Sequence, residues 1–175
     1  MGKAANSSIS LKQIHVTDNF WNKYVHLVKD VIIPYQWDIL NDKLEDVETS
    51  HCIENFKIAA GEKEGEFQGA VFQDTDVAKW LEAVGFVLNY ERDEKLEELA
   101  DETIELIGRA QQPDGYLNTY FTIKEPDGRW SNLMEGHELY TAGHMIEAAV
   151  AYYEATGKRR FLEIVSKFAD LVCQT

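Results

Sequence analysis

Two stretches of the chain, 65 positions apart, carry the same pattern. Trp80-Leu81-Glu82-Ala83-Val84 lies over Met145-Ile146-Glu147-Ala148-Ala149, and the same offset places Leu96 on Phe161, Leu99 on Ile164, Leu106 on Leu171 and Ile107 on Val172. In the first copy, Val77, Trp80, Leu81, Val84, Phe86, Val87 and Leu88 run to Tyr90 with few charges on any side, which predicts a deeply buried helix. Asp74-Thr75-Asp76 offers caps at its start. The segment from Asp93 to Arg109 then keeps Leu96, Leu99, Ala100, Thr103 and Ile107 on one face and its acids elsewhere, as an outer helix does. Met145 to Tyr153 and Lys158 to Val172 repeat the sequence of inner and outer helix. Inner apolar helices wrapped by outer amphipathic ones are the logic of an all-α fold of the α/α toroid type, whereas superhelical solenoids repeat at about 34 residues without long insertions.

The chain has 175 residues, enough for one domain that buries roughly 70% of its unfolded surface. The repeat, however, draws only about two and a half hairpins, an open arc whose edge helices lack partners. Self-association through that open edge, another packing or further sequence would complete it. With 17 basic against 31 acidic residues the formal charge is -14, which argues against nucleic acid and anionic lipid as partners. No apolar run approaches the roughly 18 residues of a membrane helix and the start has no apolar leader, so no membrane role and a cytoplasmic location are expected.

Residues 1–13 are expected to be a disordered N-terminus or a cloning remnant, and residues 14–175 the folded portion. Thr17-Asp18 precedes the apolar-periodic residues Phe20, Tyr24, Leu27, Val28 and Val31, so a helix starts there, and Pro34 breaks or restarts it. A short apolar piece from Ile53 to Ala60 stands between loops. Cys52 and Cys173 belong to no CxxC pair or Cys/His cluster and read as buried free thiols, with no metal site in this segment.

In a toroid the inner helices are parallel and their N-termini share one mouth. The residues in front of the two inner helices, Phe72-Gln73-Asp74-Thr75-Asp76 and Glu135-Gly136-His137-Glu138-Leu139-Tyr140, therefore line one rim, with Phe72 and His137 equivalent. Gly136 lets the backbone approach closely at His137, and Tyr140 and His144 add hydrogen-bonding groups. His144, on an apolar helix, otherwise reads as a satisfied core histidine. Between the hairpins lies an insertion from Gln111 to Met134, with turns at Pro113-Asp114-Gly115 and Pro126-Asp127-Gly128 around a strand-like run holding Tyr116, Tyr120, Phe121 and Trp130. Its aromatics either stack on the apolar faces of a sugar or pin the loop to the barrel. No nucleotide-binding or serine-hydrolase motif is present.

Four segments carry a family likeness: Val31-Ile32-Ile33-Pro34-Tyr35-Gln36-Trp37, Val71 to Glu82 (VFQDTDVAKWLE), Ala110 to Leu117 (AQQPDGYL) and His137 to His144 (HELYTAGH). Together they resemble the N-terminal part of the β-L-arabinofuranosidase family of bacterial glycoside hydrolases (GH127-like), over most of residues 14 to 175. The resemblance implies a partial (α/α)6 barrel, followed in the family by β-sandwich domains, and action on terminal β-L-arabinofuranosides of plant glycoproteins. Carbohydrate is then the implied substrate. His137 matches a histidine that contacts the arabinose, and Gln73, Asp74 and Glu138 occupy neighbouring motif positions. With His144 they form the candidate substrate-binding set.

The family is described as using a zinc-held cysteine thiolate as nucleophile and a glutamate as acid/base. Neither Cys52 nor Cys173 matches that site, so no catalytic residue and no cofactor are expected in this segment, zinc belonging to the full-length family. The chain alone is expected to hydrolyse nothing. A non-catalytic helical-repeat scaffold, or another toroid enzyme such as a lyase or epimerase, are the competing readings.

Overall fold

A computed structural model describes residues 9–175. Of the N-terminal stretch, residues 1–8 lie outside that range, and Leu11–Gln13 forms a 3-10 turn. Helix α1 (Asn19–Leu27) begins where the sequence places it, because the Asp18 carboxylate accepts from the backbone N–H of Phe20 and Trp21 at 3.0 and 2.8 Å. The chain then widens into a π-helical turn over Val28–Ile32 and continues as α2 (Ile33–Leu40). Pro34 lies in the first turn of α2, where its missing N–H costs least, so it restarts the helix rather than ending it.

Helix α3 (Cys52–Ala59) is the short apolar piece. The two hairpins follow: α4 (Asp74–Tyr90) with α5 (Glu94–Ala110), then, after the insertion, α8 (Glu138–Thr156) with α9 (Arg160–Gln174). The insertion holds α6 (Thr119–Ile123), a 3-10 turn at Pro126–Gly128 and α7 (Leu133–Gly136). The strand-like run is thus helical, and among the described residues no strand forms. An isolated strand has no partner for its ladder in an all-helical setting, and Asn118 instead caps a helical turn by accepting from Phe121 N–H.

The inner helices α4 and α8 run parallel and in contact. Their starts meet at Phe72 and His137, whose rings stand edge to face with centroids 5.2 Å apart. Further along, Val77, Trp80, Leu81 and Val84 of α4 are buried, as are Ala142, Met145, Ala148 and Ala149 of α8, whose buried face is thus mostly small residues. At Gly85 the two backbones touch: a Cβ built there would meet the carbonyl carbon of Ala151 at 2.9 Å and the nitrogen of Tyr152 at 3.0 Å.

The outer helices cover this pair with Ala100, Ile104 and Ile107 from α5 and Phe161, Ile164, Val165 and Phe168 from α9. The acidic back of α5 is not simply solvated. Lys158 reaches Glu97 and Asp101 at 2.6 and 2.5 Å, and Arg160 reaches Glu105 at 2.8 Å, joining the two hairpins at their outer surface.

Both flanks of the arc expose apolar side chains. Leu139, Ile146, Val150 and Tyr153 form a stripe on α8, and Phe20, Trp21, Tyr24 and Leu27 do so on α1. Such an arrangement of inner and outer helices with two unpaired sides is a segment of an α/α toroid.

The contact at Gly85 yields a prediction. In an ordinary helix Gly→Ala stabilises by up to about 1 kcal/mol, but here the new methyl meets backbone that moves only if α8 moves. Gly85→Ala is expected to destabilise the chain by about 1–2 kcal/mol net, lowering the melting temperature by about 2–8 °C. A thermal melt with an unchanged or raised midpoint would show that the helices are not held this close.

Candidate functional site

The mouth is built from the residues that open α4 and α8. His137 precedes α8 with a left-handed backbone (φ 51°), an uncommon conformation for a residue with a Cβ. Its ring is fixed by edge contacts, Phe72 on one side at 5.2 Å and Tyr140 on the other at 5.8 Å. Its nitrogens make no hydrogen bond among the described residues, which leaves them available at the surface.

Beside it lies an open cavity of about 780 Å³, whose polar lining includes Gln36, Ser50, Gln73, Asp76 and Lys79, with Trp80 as its floor. The Gln73 amide is held in place here. It donates to the Asp76 carboxylate at 2.8 Å and to the Ser50 hydroxyl at 3.3 Å, and accepts from Ala70 N–H at 3.1 Å. Burial raises the Asp76 carboxyl above its ordinary range, and the nearby Lys79 ammonium partly offsets this. Lys79 also stands over the Tyr140 ring at 5.4 Å, linking the cavity to the α8 side of the mouth. Gln36, Lys79 and Trp80 are not among the sequence candidates. From its sequence context Trp80 reads only as core, and its indole N–H donates to the Ile33 carbonyl at 3.1 Å, fixing α2 beside the cavity.

Asp74 and Glu138 lie beneath this surface rather than on it, being 2% and 0% exposed. Each is the first residue of an inner helix, and each binds the insertion. The Asp74 carboxylate accepts from Thr119 N–H at 2.7 Å and Thr119 Oγ1 at 2.5 Å. The Glu138 carboxylate accepts from the Tyr116 hydroxyl at 2.5 Å and Trp130 N–H at 2.8 Å. Asp74 is therefore no cap of α4: Gln73 occupies that position without a side-chain bond, and the Thr75 hydroxyl accepts from Lys79 instead. With their oxygens engaged from inside, Asp74 and Glu138 hold the loop that flanks the mouth.

That loop is core. Tyr116, Leu117, Asn118 and Thr119 are at most 2% exposed, Tyr116 and Trp130 pack on Phe168, and Arg129 covers the Tyr116 ring at 3.9 Å. Gly115, with φ 94°, lets the turn lie against the Lys167 carbonyl, which a Cβ would meet at 2.7 Å. Of the two roles open to the aromatics, Tyr116 and Trp130 take that of pinning the loop.

His144 lies farther along α8 with a side chain 21% exposed, and its Nδ1 is buried without a hydrogen-bond partner. It is not the satisfied core histidine its helix suggested. The cysteines differ too: Cys52 is buried, with burial pushing its thiol up and its S–H donating to the Gln73 carbonyl, while Cys173 is exposed near the end of α9. They are held apart by the fold, so this donor set does not fit a zinc-thiolate nucleophile.

Burial also pushes the Asp74 carboxyl up to about 6, against the lowering effect of its Thr119 bonds. The folded value lies above the unfolded one, so the folded state holds the proton more tightly. This group's contribution to stability is present at low pH and is lost as pH rises through about 4 to 6. Wild type is thus expected to gain about 2–3 kcal/mol relative to Asp74→Asn between pH 7.5 and pH 4. Denaturant melts of both proteins across that range check this, and a constant difference would show that Asp74 does not titrate in this way.

The geometry agrees with what related proteins show. The β-L-arabinofuranosidase GH127 catalytic domain profile matches residues 13–175. A non-reducing end β-L-arabinofuranosidase of Bifidobacterium longum subsp. longum is 42% identical, over 90% of this chain and 26% of that enzyme. The crystal structure of a GH127 β-L-arabinofuranosidase from Geobacillus stearothermophilus T6 superposes with a TM-score of 0.89 at 64% identity, over 90% of this chain and 25% of that one. A second GH127 β-arabinofuranosidase structure superposes at 0.85 with 36% identity, over 95% and 26%. The chain spans about a quarter of the length of these relatives, matching their N-terminal part, and it belongs to the β-L-arabinofuranosidase family GH127.

Proposed function

We propose that this chain forms the sugar-recognising side of a β-L-arabinofuranosidase barrel acting on terminal β-L-arabinofuranosides. The observation that carries the reading is the meeting of the two inner-helix starts, which sets His137 beside the Gln73 cavity. A furanose is a neutral polyol, so its recognition needs fixed donors and acceptors more than charge. A preoriented imidazole, a locked carboxamide and the Asp76 carboxylate meet that need. Asp74 and Glu138 act from below, by holding the loop in register with the mouth. His144 is set back along α8 and takes no part in the first contact.

Cleavage is taken to need groups beyond this segment: Cys52 is sealed under Gln73, and the Asp74 and Glu138 carboxylates are buried. The expected outcome is that L-arabinose at about 10–100 mM raises the melting temperature of the chain by about 1–3 °C, that His137→Ala removes the rise, and that p-nitrophenyl β-L-arabinofuranoside is not turned over. Equal stabilisation of the variant would take His137 out of the site, and measurable turnover would sink the claim that cleavage needs more than this segment.

The exposed stripe on α8 supports one further reading: the isolated chain self-associates there. Four large apolar side chains on one helix face form a patch that monomers rarely leave open. Sedimentation velocity should show a dimer that grows with concentration and is lost in Val150→Lys; a single monomeric boundary up to about 200 µM would refute it.

A further inference from the structure

Beyond the mouth, α4 and α8 bring three ligating side chains together. Glu82 of α4 and His144 and Glu147 of α8 each place one oxygen or nitrogen within 4.8 Å of the others. Glu82 and Glu147 hold the same position of the 65-residue repeat, so the parallel register of the inner helices is what sets them face to face. His144 precedes Glu147 by three residues and shares its helix face. A carboxylate from one helix with a His/Glu pair spaced i, i+3 on the next is a recurrent way for helical proteins to hold divalent metals.

Two further observations point to a cation. The His144 Nδ1 is sealed from solvent and lies 3.5 Å from the Glu147 carboxylate without making a hydrogen bond to it. A lone pair or N–H in that state is costly unless something binds it. Apart from His144 itself, the two carboxylates have no basic partner among the described residues. Among the described residues no lysine or arginine pairs with either, and Lys79, one turn before Glu82, is drawn off to Thr75 and Tyr140. The Tyr140 ring meets the imidazole edge-on at 4.6 Å and limits its rotation.

We propose that Glu82, His144 and Glu147 bind one divalent transition-metal cation of the zinc type, which staples α4 to α8. An imidazole with two carboxylates suits such an ion better than magnesium or calcium, which prefer all-oxygen shells. No cysteine takes part. The site's ligands come from both inner helices, so its role is structural.

The test is calorimetric titration of the EDTA-stripped, tag-free chain with zinc chloride at pH 7.5. One site is expected with Kd about 10 µM or tighter, and zinc at a hundredfold excess over Kd should raise the melting temperature by about 5 °C, magnesium chloride leaving it unchanged. Glu147→Gln, at an exposed position that folding does not need, should weaken zinc at least about tenfold, and His144→Gln at least as much. Cobalt substitution reports the ligand set independently, through a visible d–d band that both variants lose. No saturable zinc binding below about 1 mM, or an affinity unchanged in both variants, overturns the proposal; the second result would place the metal on another histidine.

Discussion

Everything that positions the mouth depends on the close parallel packing of α4 against α8. Parallel neighbours put both helix starts at one end, and close approach brings the residues in front of them into contact. The approach is possible because Gly85 removes a side chain where the backbones meet, and because the buried face of α8 is rich in small residues, Ala142, Ala148, Ala149 and Ala151. A bulkier residue at any of these points would separate the helices, and His137 would lose the Phe72 edge that holds its ring. Core packing and site geometry are here the same set of distances.

The second constraint is electrostatic. Two carboxylates are buried at the positive ends of the inner helices, where the helix dipoles favour them. Burial alone would make both costly, and the insertion supplies the hydrogen bonds that offset it: Thr119 to Asp74, Tyr116 and Trp130 to Glu138. Removing one of these donors leaves a buried charge short of a partner, which costs more than an ordinary surface bond. Loop and helix starts therefore order together. This explains how the Gly115 to Thr119 part of the insertion lies in the core instead of waving above it.

The repeat made the helices, their order and the inner and outer roles legible, because burial on all sides and burial on one face leave different periodicities. The same 65-residue offset pairs Phe72 with His137. What it could not show was which polar rim residues face out. Asp74 and His137 both read as polar residues at a helix start, and the difference between them is made by Thr119 and Phe72, partners 45 and 65 positions away. The insertion was misread for a related reason: Tyr116, Tyr120, Phe121 and Trp130 have strand propensity, and tertiary context overrides it. Cys173 looked buried by composition, yet the last turn of α9 turns it outward.

The charge of the chain takes on a different meaning once the fold is seen. The stretch from Glu91 to Glu105 carries eight acids and two bases, and it runs along the outer surface, where Lys158 and Arg160 of the second hairpin meet it. These exposed pairs contribute little stability singly, but they tie the outer helices in the same register that Gly85 sets inside. The cavity beside the mouth holds one lysine, Lys79, and two carboxylates, Glu48 and Asp76, around the locked Gln73 amide. With only these few charges among its polar groups, the opening is suited to a neutral ligand more than to a strongly charged one. Selectivity there must come from the placement of hydrogen-bond groups, and that placement traces back through Phe72 and the buried carboxylates to the contact between two helices.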